Sequence, residues 1–284
     1  MKTFRKKPTD TAVVGVVTAV LLIGLIVAVV SLVQTIYIPK VMEQREAEHM
    51  DKVAEQFSYL TSVIDGQAAD QKKNLPIATS ITLGSKELPY MLSIKAFGKL
   101  EILENSCWIN VTNSSSEGTF QIGTITYSSI NGYFLDQSYT YEAGAMIVSQ
   151  IDEGNLMMIR PSFLVTYNSP QILHISFDVV HISSIGQKTI ATGFGTYPIQ
   201  TEFYNISSNY TFSNARYMNV TTPNANAWAI YLNQSLKAAD PTLGSIVKKT
   251  AQGVELNFAG YDDVTIVLRV IEIRAQIGPG WVEQ

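Results

Sequence analysis

The feature that most constrains this chain is an uncharged apolar stretch close to its first residue. Residues 12–33 contain no Asp, Glu, Lys or Arg over 22 positions. As an α-helix, this stretch is roughly 33 Å long, and a bilayer hydrocarbon core is about 30 Å thick. A secretory signal peptide has a shorter apolar run, of about 7–15 residues, and a buried core helix usually keeps a polar side. We therefore predict a transmembrane helix over residues 12–33.

Charge on either side of this span predicts its orientation. Four basic residues precede it: Lys2, Arg5, Lys6 and Lys7. Because basic residues stay on the cytoplasmic side, we expect residues 1–11 to be a cytoplasmic leader and residues 40–284 to be extracellular. The first ten residues carry a net +3 and the whole chain −4, so the remainder carries −7. A negative body argues against nucleic acid as a partner.

Glycosylation motifs also favour an extracellular location. Six Asn-x-Ser/Thr motifs all follow the apolar span, and they begin at Asn110, Asn113, Asn205, Asn209, Asn219 and Asn233. We expect Asn205, Asn209 and Asn219 to be the most exposed, because they lie in a stretch rich in Ser, Asn and Thr. The alternative is that a β-rich protein with many Ser and Thr residues forms such motifs by chance.

The segment after the span, residues 34–67, has the pattern of an amphipathic helix. Its apolar residues recur at alternating steps of three and four, and they are Met50, Val53, Phe57, Leu60 and Ile64. This stripe either packs on the body of the same chain or meets a neighbouring subunit. Pro39, near the start of the segment, should kink or break the helix.

Strand patterns dominate the rest of the chain. After a polar linker at residues 68–86, residues 87–284 form the predicted β-rich domain. Its strands are expected at 88–97, 107–111, 119–127, 138–149, 156–167, 172–182, 188–202 and 264–276, with a hairpin over 245–250 and 254–258. Thr222 and Pro223 open one inserted helix. The predicted fold class is α+β: a transmembrane helix, an amphipathic helix, and a sandwich-like or curled antiparallel domain.

Side chains that could carry chemistry are scarce. His174 and His181 are seven residues apart, so on a strand they face opposite sides and cannot share a metal. His174 and Asp178 do share a face, but two ligands make a weak site. Cys107, the single cysteine, is interpreted as a small buried residue rather than a nucleophile. We therefore predict a protein that is not an enzyme and that uses no cofactor or metal.

Several segments resemble archaeal type IV pilin-like proteins, a group with class III (prepilin) signal sequences that includes families of unknown function. The matching pieces are the basic leader with the residues that open the apolar run, residues 38–50, the strand up to Tyr127, residues 137–148, residues 160–163, and Ala227 with Trp228. In that family, a prepilin peptidase removes the leader, and the corresponding cut here falls between Ala12 and Val13. Unlike many pilins, this chain has no acidic residue in the span.

The resemblance implies a non-enzymatic cell-surface protein: a subunit or accessory pilin of a type IV pilus-like filament that serves adhesion or surface structure. Its expected partners are membrane lipid, prepilin peptidase, and other copies or pilin-like subunits that pack through the N-terminal helix. Small residues such as Gly15 and Gly24 allow helices to approach closely. The alternative is a permanently anchored single-span protein whose β domain binds a ligand, a glycan or an envelope partner. A surface hydrolase is the third interpretation, and no catalytic motif favours it.

Overall fold

One long helix leads into a β-rich body. The computed structural model describes residues 11–84, 96–113, 116–151, 153–168, 172–207, 209–261 and 263–278. Helix α1 spans Thr11–Leu32, a π-helical turn spans Val33–Tyr37, and helix α2 spans Ile38–Asp70. Residues 1–10 of the predicted leader, and all but the last two residues of the predicted strand 88–97, lie outside the described residues.

The body is built from strands with one further helix. Its strands are β1 (Ile77–Thr82), β2 (Phe97–Asn113), β3 (Glu117–Ile130), β4 (Gln137–Glu142), β5 (Ala145–Gln150), β6 (Gly154–Ile159), β7 (Ser162–Asn168), β8 (Ile172–Ser184), β9 (Ile190–Gly193), β10 (Thr196–Ile206), β11 (Tyr210–Phe212), β12 (Ala215–Thr221), β13 (Val247–Lys249), β14 (Gly253–Asn257) and β15 (Asp263–Ile277). Helix α3 spans Ala225–Ala239, and a 3₁₀ turn spans Pro241–Ile246. The α+β layout predicted from the sequence is confirmed.

The strands form two sheets. The six-stranded sheet has the order β1-β10-β15-β8-β7, with β11 also paired to β15. The nine-stranded sheet has the order β13-β14-β12-β2-β3-β4-β5-β6, with β9 also paired to β2. Strands β8 and β15 run parallel, so the expectation of purely antiparallel pairing is wrong for this pair. Parallel neighbours need a long crossover connection, and the chain from β9 to β14, which includes α3, supplies it.

Turns divide segments that the sequence predicted as single strands. Residues 138–149 form the hairpin β4–β5, because Ala143 and Gly144 both adopt positive φ angles, of 53° and 89°, as a tight two-residue hairpin turn requires. Residues 156–167 divide at Pro161, which has no N–H for a sheet, and β6 and β7 then join different sheets. Residues 188–202 likewise divide into β9 and β10.

Three further strands lie where none was predicted, and one helix starts later than expected. Strand β1 lies within residues 68–86, the expected linker, and pairs with β10. Strands β11 and β12 fill the stretch after β10, and residues 241–246 form a 3₁₀ turn before β13. Helix α3 begins at Ala225 with Asn224 as its N-cap, two residues after the expected start at Thr222–Pro223.

Two hydrophobic cores lie inside the body. The α2 core contains the helix stripe together with sheet residues such as Leu100, Tyr127, Tyr139, Ile182 and Ile273. The α3 core contains Trp228, Leu232 and Leu236 together with sheet residues such as Ile109, Phe177 and Ile266. Strand β8 places Phe177 in the α3 core and Ile182 in the α2 core. Because side chains alternate along a strand, β8 buries opposite faces at its two ends.

The two sheets meet backbone to backbone where β3 crosses β8. A Cβ atom at Gly123 would lie 1.9 Å from the carbonyl oxygen of Ile182, so only glycine fits at this position. The Gly123 N–H donates to Nδ1 of His181 at 2.9 Å. Burial lowers the pKa of His181, which keeps Nδ1 free to accept this hydrogen bond.

Candidate functional site

The N-terminal helix is bare and apolar over its first half. Side chains from Val14 to Leu32 are exposed, and Leu21, for example, is 69% exposed. Among the described residues, this helix is long and apolar enough to cross a membrane. Water would solvate such a surface poorly, whereas an α-helix satisfies its own backbone groups in lipid. A single-pass membrane anchor agrees with this arrangement.

Pro39 is accommodated without ending the helix. Its ring would clash with the carbonyl of Thr35, four residues earlier, in a regular α-helix. The preceding turn is π-helical instead, and the Ile38 N–H bonds to the carbonyl oxygen of Val33, five residues back. The wider turn allows the chain to pass the proline and continue as α2. The kink or break expected from the sequence is therefore realised as a π-helical turn inside a continuous helix.

The second half of the helix is embedded in the body. All five stripe residues are buried in the α2 core, and they are Met50, Val53, Phe57, Leu60 and Ile64. The Phe57 ring lies 6.1 Å from the ring of Tyr139 on β4. Of the two interpretations of the stripe, the structure shows packing on the chain's own body.

A buried carboxylate fastens α2 to the loop between β3 and β4. Glu46 is fully buried, and its oxygens accept hydrogen bonds from the backbone N–H groups of Gly132, Tyr133 and Phe134 at 3.0, 2.7 and 2.7 Å. Hydrogen bonds to a charged acceptor are stronger than neutral ones. Glu46 lies four residues before Met50 in the sequence, so this spacing, which continues the stripe, was the available signal for its burial.

A second buried contact joins α2 to the sheet. Nε2 of His49 lies 3.2 Å from Oη of Tyr127, which donates to the carbonyl oxygen of Leu83 at 2.9 Å. Burial lowers the pKa of His49, so the imidazole is neutral in this contact at neutral pH. His49 therefore serves as a hydrogen-bonding core residue between the helix and the body.

A second buried carboxylate holds the start of α3. Glu142, the last residue of β4, accepts from Thr222 Oγ1 at 2.7 Å, from Asn224 Nδ2 at 3.1 Å and from Trp228 Nε1 at 2.6 Å. Burial raises the pKa of Glu142, and the surrounding donors oppose that shift. The Cys107 thiol is buried beside it, and burial raises the pKa of that thiol well above its ordinary value. A protonated, inaccessible thiol cannot act as a nucleophile.

Charged side chains meet in a cleft between the end of α2 and the six-stranded sheet. Arg269 binds Asp178 through two hydrogen bonds, of 2.9 Å from Nε and 2.5 Å from Nη2. Asp65 and Arg160 also line this cleft, whose volume is about 410 Å³. Burial raises the pKa of Asp65. The charges of the two acidic and the two basic side chains offset one another here. The guanidinium group of Arg269 already binds both carboxylate oxygens of Asp178.

The histidines do not form a metal site. His174 is exposed on β8, and Asp178, which shares its face, is committed to Arg269. His181 lies farther along the strand and accepts from Gly123. Across the described ranges, no group of three or more His, Cys, Asp or Glu side chains is arranged to hold a metal ion.

The six glycosylation motifs lie in different surroundings. Asn205 and Asn209 are exposed, as expected. The expectation for Asn219 is wrong, because it lies within the central strand β12, half-buried and directly opposite Asn110 on β2. The side-chain oxygens of both residues are buried without a hydrogen-bond partner. Two more motifs are also half-buried, in β2 and in α3, at Asn113 and Asn233.

Comparison with known proteins places the chain in a family. Residues 11–274 match the model of a family of unknown function, DUF7289. No curated protein matches the chain, and no solved structure does. The match covers the apolar helix, α2 and nearly all of the β-rich body, so the chain belongs to the DUF7289 family.

Proposed function

We propose that this protein is a non-enzymatic cell-surface protein, a pilin-like subunit or accessory pilin of a type IV pilus-like filament. One observation carries the proposal: a single continuous helix is bare and apolar in its first half and embedded in the body in its second. The bare half suits lipid before assembly and the apolar centre of a filament afterwards. The embedded half fixes the orientation of the body relative to the helix.

Rigidity between the two halves favours assembly over simple anchoring. A filament repeats one orientation of each body about its helix, and that requires a stiff joint. Here α2 is held by the buried stripe, by the three hydrogen bonds to Glu46 and by the His49–Tyr127 contact. A protein that is only anchored does not require a stiff joint, because a flexible linker also keeps it at the membrane.

In this proposal, residues 1–11 face the cytoplasm and the body lies outside the cell. Prepilin peptidase cuts between Ala12 and Val13, and the mature chain then leaves the bilayer through contacts with other copies or pilin-like subunits. Adhesion and surface structure are the functions that such a filament serves. The exposed Asn205 and Asn209 make the mature protein a glycoprotein.

Processing of the leader tests this function. Cells are sheared, and the released and membrane fractions are examined by electron microscopy and by mass spectrometry of the N-terminal peptide. We expect released filaments to contain a chain that lacks the leader. Ala12→Lys should block processing and release, whereas Thr3→Lys, which adds the same charge inside the leader, should leave both unchanged. An intact leader on a chain that stays entirely in the membrane fraction would refute the filament proposal.

The second candidate function is a permanently anchored protein whose body binds a ligand. The observation that favours it is a cleft of about 560 Å³ beside Glu142, which lies within the range typical of small-molecule sites. Under this function the leader stays attached, so the same fractionation separates the two candidates.

A further inference from the structure

The cleft beside Glu142 lies on the face of the nine-stranded sheet that packs against α3, next to the start of that helix. Hydroxyl side chains from four strands make up much of its lining: Ser106, Thr124, Thr126, Ser138, Thr140 and Ser149. Solvated positions of a sheet often carry such residues, but here they line a concave surface of about 560 Å³. The shape and the density of hydrogen-bonding groups together distinguish this cleft from an ordinary polar sheet surface.

The charge of the lining restricts what can bind. Among the described residues that line the cleft, Glu142 is the single ionisable one, and there is no Lys, Arg or His. Phosphate and carboxylate ligands are recognised by cationic side chains, so the cleft does not suit them. A metal ion would need several carboxylate or imidazole ligands, and three donors already occupy Glu142. The lining therefore favours a neutral ligand rich in hydrogen-bonding groups.

Part of the lining is preorganised and part is available. Ser106 and Thr124 share a hydrogen bond of 2.7 Å, and the Ser149 hydroxyl donates to Asn224 at 3.2 Å. By contrast, the side chains of Ser138 and Gln150 form no hydrogen bond to any described part of the chain. A ligand can thus use free hydroxyl and amide groups without first breaking the network around them, which lowers the cost of binding.

Apolar side chains also line the cleft. Leu103 on β2 is 38% exposed and pairs with Thr124, and both Leu103 and Pro223 belong to the lining. The C–H face of a sugar ring is apolar and packs against apolar side chains, while its hydroxyl groups need neutral donors and acceptors. Leu103, Pro223 and the neighbouring hydroxyl and amide groups provide both.

We propose that this cleft binds a neutral carbohydrate, of the size of one or two sugar units. The ring packs on the apolar side chains of Leu103 and Pro223, and its hydroxyl groups exchange hydrogen bonds with Ser138, Gln150 and the hydroxyl-lined wall. This site goes beyond the proposed function, because it is compatible with both a filament subunit and a permanently anchored protein. Leader processing is independent of it, so either idea can fail alone.

Binding is tested on the full chain in a detergent without a sugar headgroup. Maltose, cellobiose, lactose and N,N′-diacetylchitobiose are titrated separately, with saturation-transfer NMR as the readout. We expect at least one of them to bind, and Gln150→Ala and Leu103→Ala to weaken its affinity by about tenfold. Gln121→Ala is the matched control, because Gln121 is exposed on β3, on the opposite face from Thr124, and does not line the cleft.

Two results would overturn the proposal. One is the absence of saturation transfer for all four sugars at ~10 mM, with the circular dichroism spectrum of the chain intact. The other is an equal loss of affinity in Gln121→Ala and Gln150→Ala, which would place the sugar elsewhere on the sheet. Because both of these substituted glutamines come from the sheet surface, neither variant endangers folding.

Discussion

Replacing Phe57 by alanine provides the sharpest test of how the helix is held. The Phe57 side chain is fully buried, midway along the stripe, and its ring packs against that of Tyr139. Alanine removes the ring and leaves a cavity between α2 and the sheet. If the stripe holds the helix to the body, this single change should weaken the joint on which the proposed assembly depends.

The expected magnitude follows from burial. Truncating a fully buried phenylalanine costs the lost transfer free energy plus a cavity term, together about 3–5 kcal/mol. For a body of this size, 1 kcal/mol corresponds to a shift of roughly 2–4 °C in the melting temperature. We therefore expect the body to melt about 10 °C lower in Phe57→Ala. Tyr59, on the same helix, is 61% exposed, so Tyr59→Ala should change the melting temperature little.

The assay is thermal unfolding of the full chain in detergent, followed by near-ultraviolet circular dichroism. Near-ultraviolet signals report the packing of aromatic residues in the body, whereas the bare helix in the micelle contributes little to them. Equal melting temperatures for Phe57→Ala and the native chain would refute internal packing of the stripe. The stripe would then have to meet another subunit, which cross-linking of the full-length protein would reveal.

Three further predictions concern other contacts. Because burial lowers the pKa of His181, the unfolded chain takes up a proton below about pH 6.5 while the folded chain resists it. The free energy of unfolding should therefore fall from about pH 7 to pH 5.5, less steeply in His181→Gln. Glycopeptide mass spectrometry of native protein should find sugar on Asn205 or Asn209, and unmodified asparagine at Asn110, Asn113, Asn219 and Asn233. Glu46→Ala should speed amide exchange of the three loop N–H groups by about tenfold or more, and unchanged protection would show that Glu46 does not hold them.

Local pattern was enough to predict the helical part of the fold. The apolar span and the three–four spacing from Met50 to Ile64 are both set within one helix, so periodicity reveals them directly. The most strongly alternating strands, in β2, β3, β8 and β15, were predicted for the same reason. What the stripe packs against was left open, because spacing on one helix does not identify its partner.

Contacts between distant segments could not be predicted in this way. Glu142 is an acidic residue at the end of a strand, and its role depends on Thr222, Asn224 and Trp228, about 80 residues later. The half-buried position of Asn219 depends on its pairing with Asn110, whereas its polar neighbours in the sequence indicated an exposed residue. The division of β6 from β7 at Pro161 does have a local signal, but assignment to different sheets is decided by tertiary packing.

The π-helical turn sets the angle at which the membrane span faces its surroundings. The hydrogen bond from the Ile38 N–H to the Val33 carbonyl spans five residues, whereas a regular helix spans four, so side chains before and after this turn are rotated relative to one another by about one residue, or 100°. If the regular periodicity of α2 were continued through this turn, the direction of Gly24 around the helix axis would be assigned wrongly by about this angle. Adding or removing one residue in this turn would rotate the body about the helix axis while leaving every contact inside the body intact. The direction in which the body faces its neighbours around the helix axis is therefore set by the five residues of this turn.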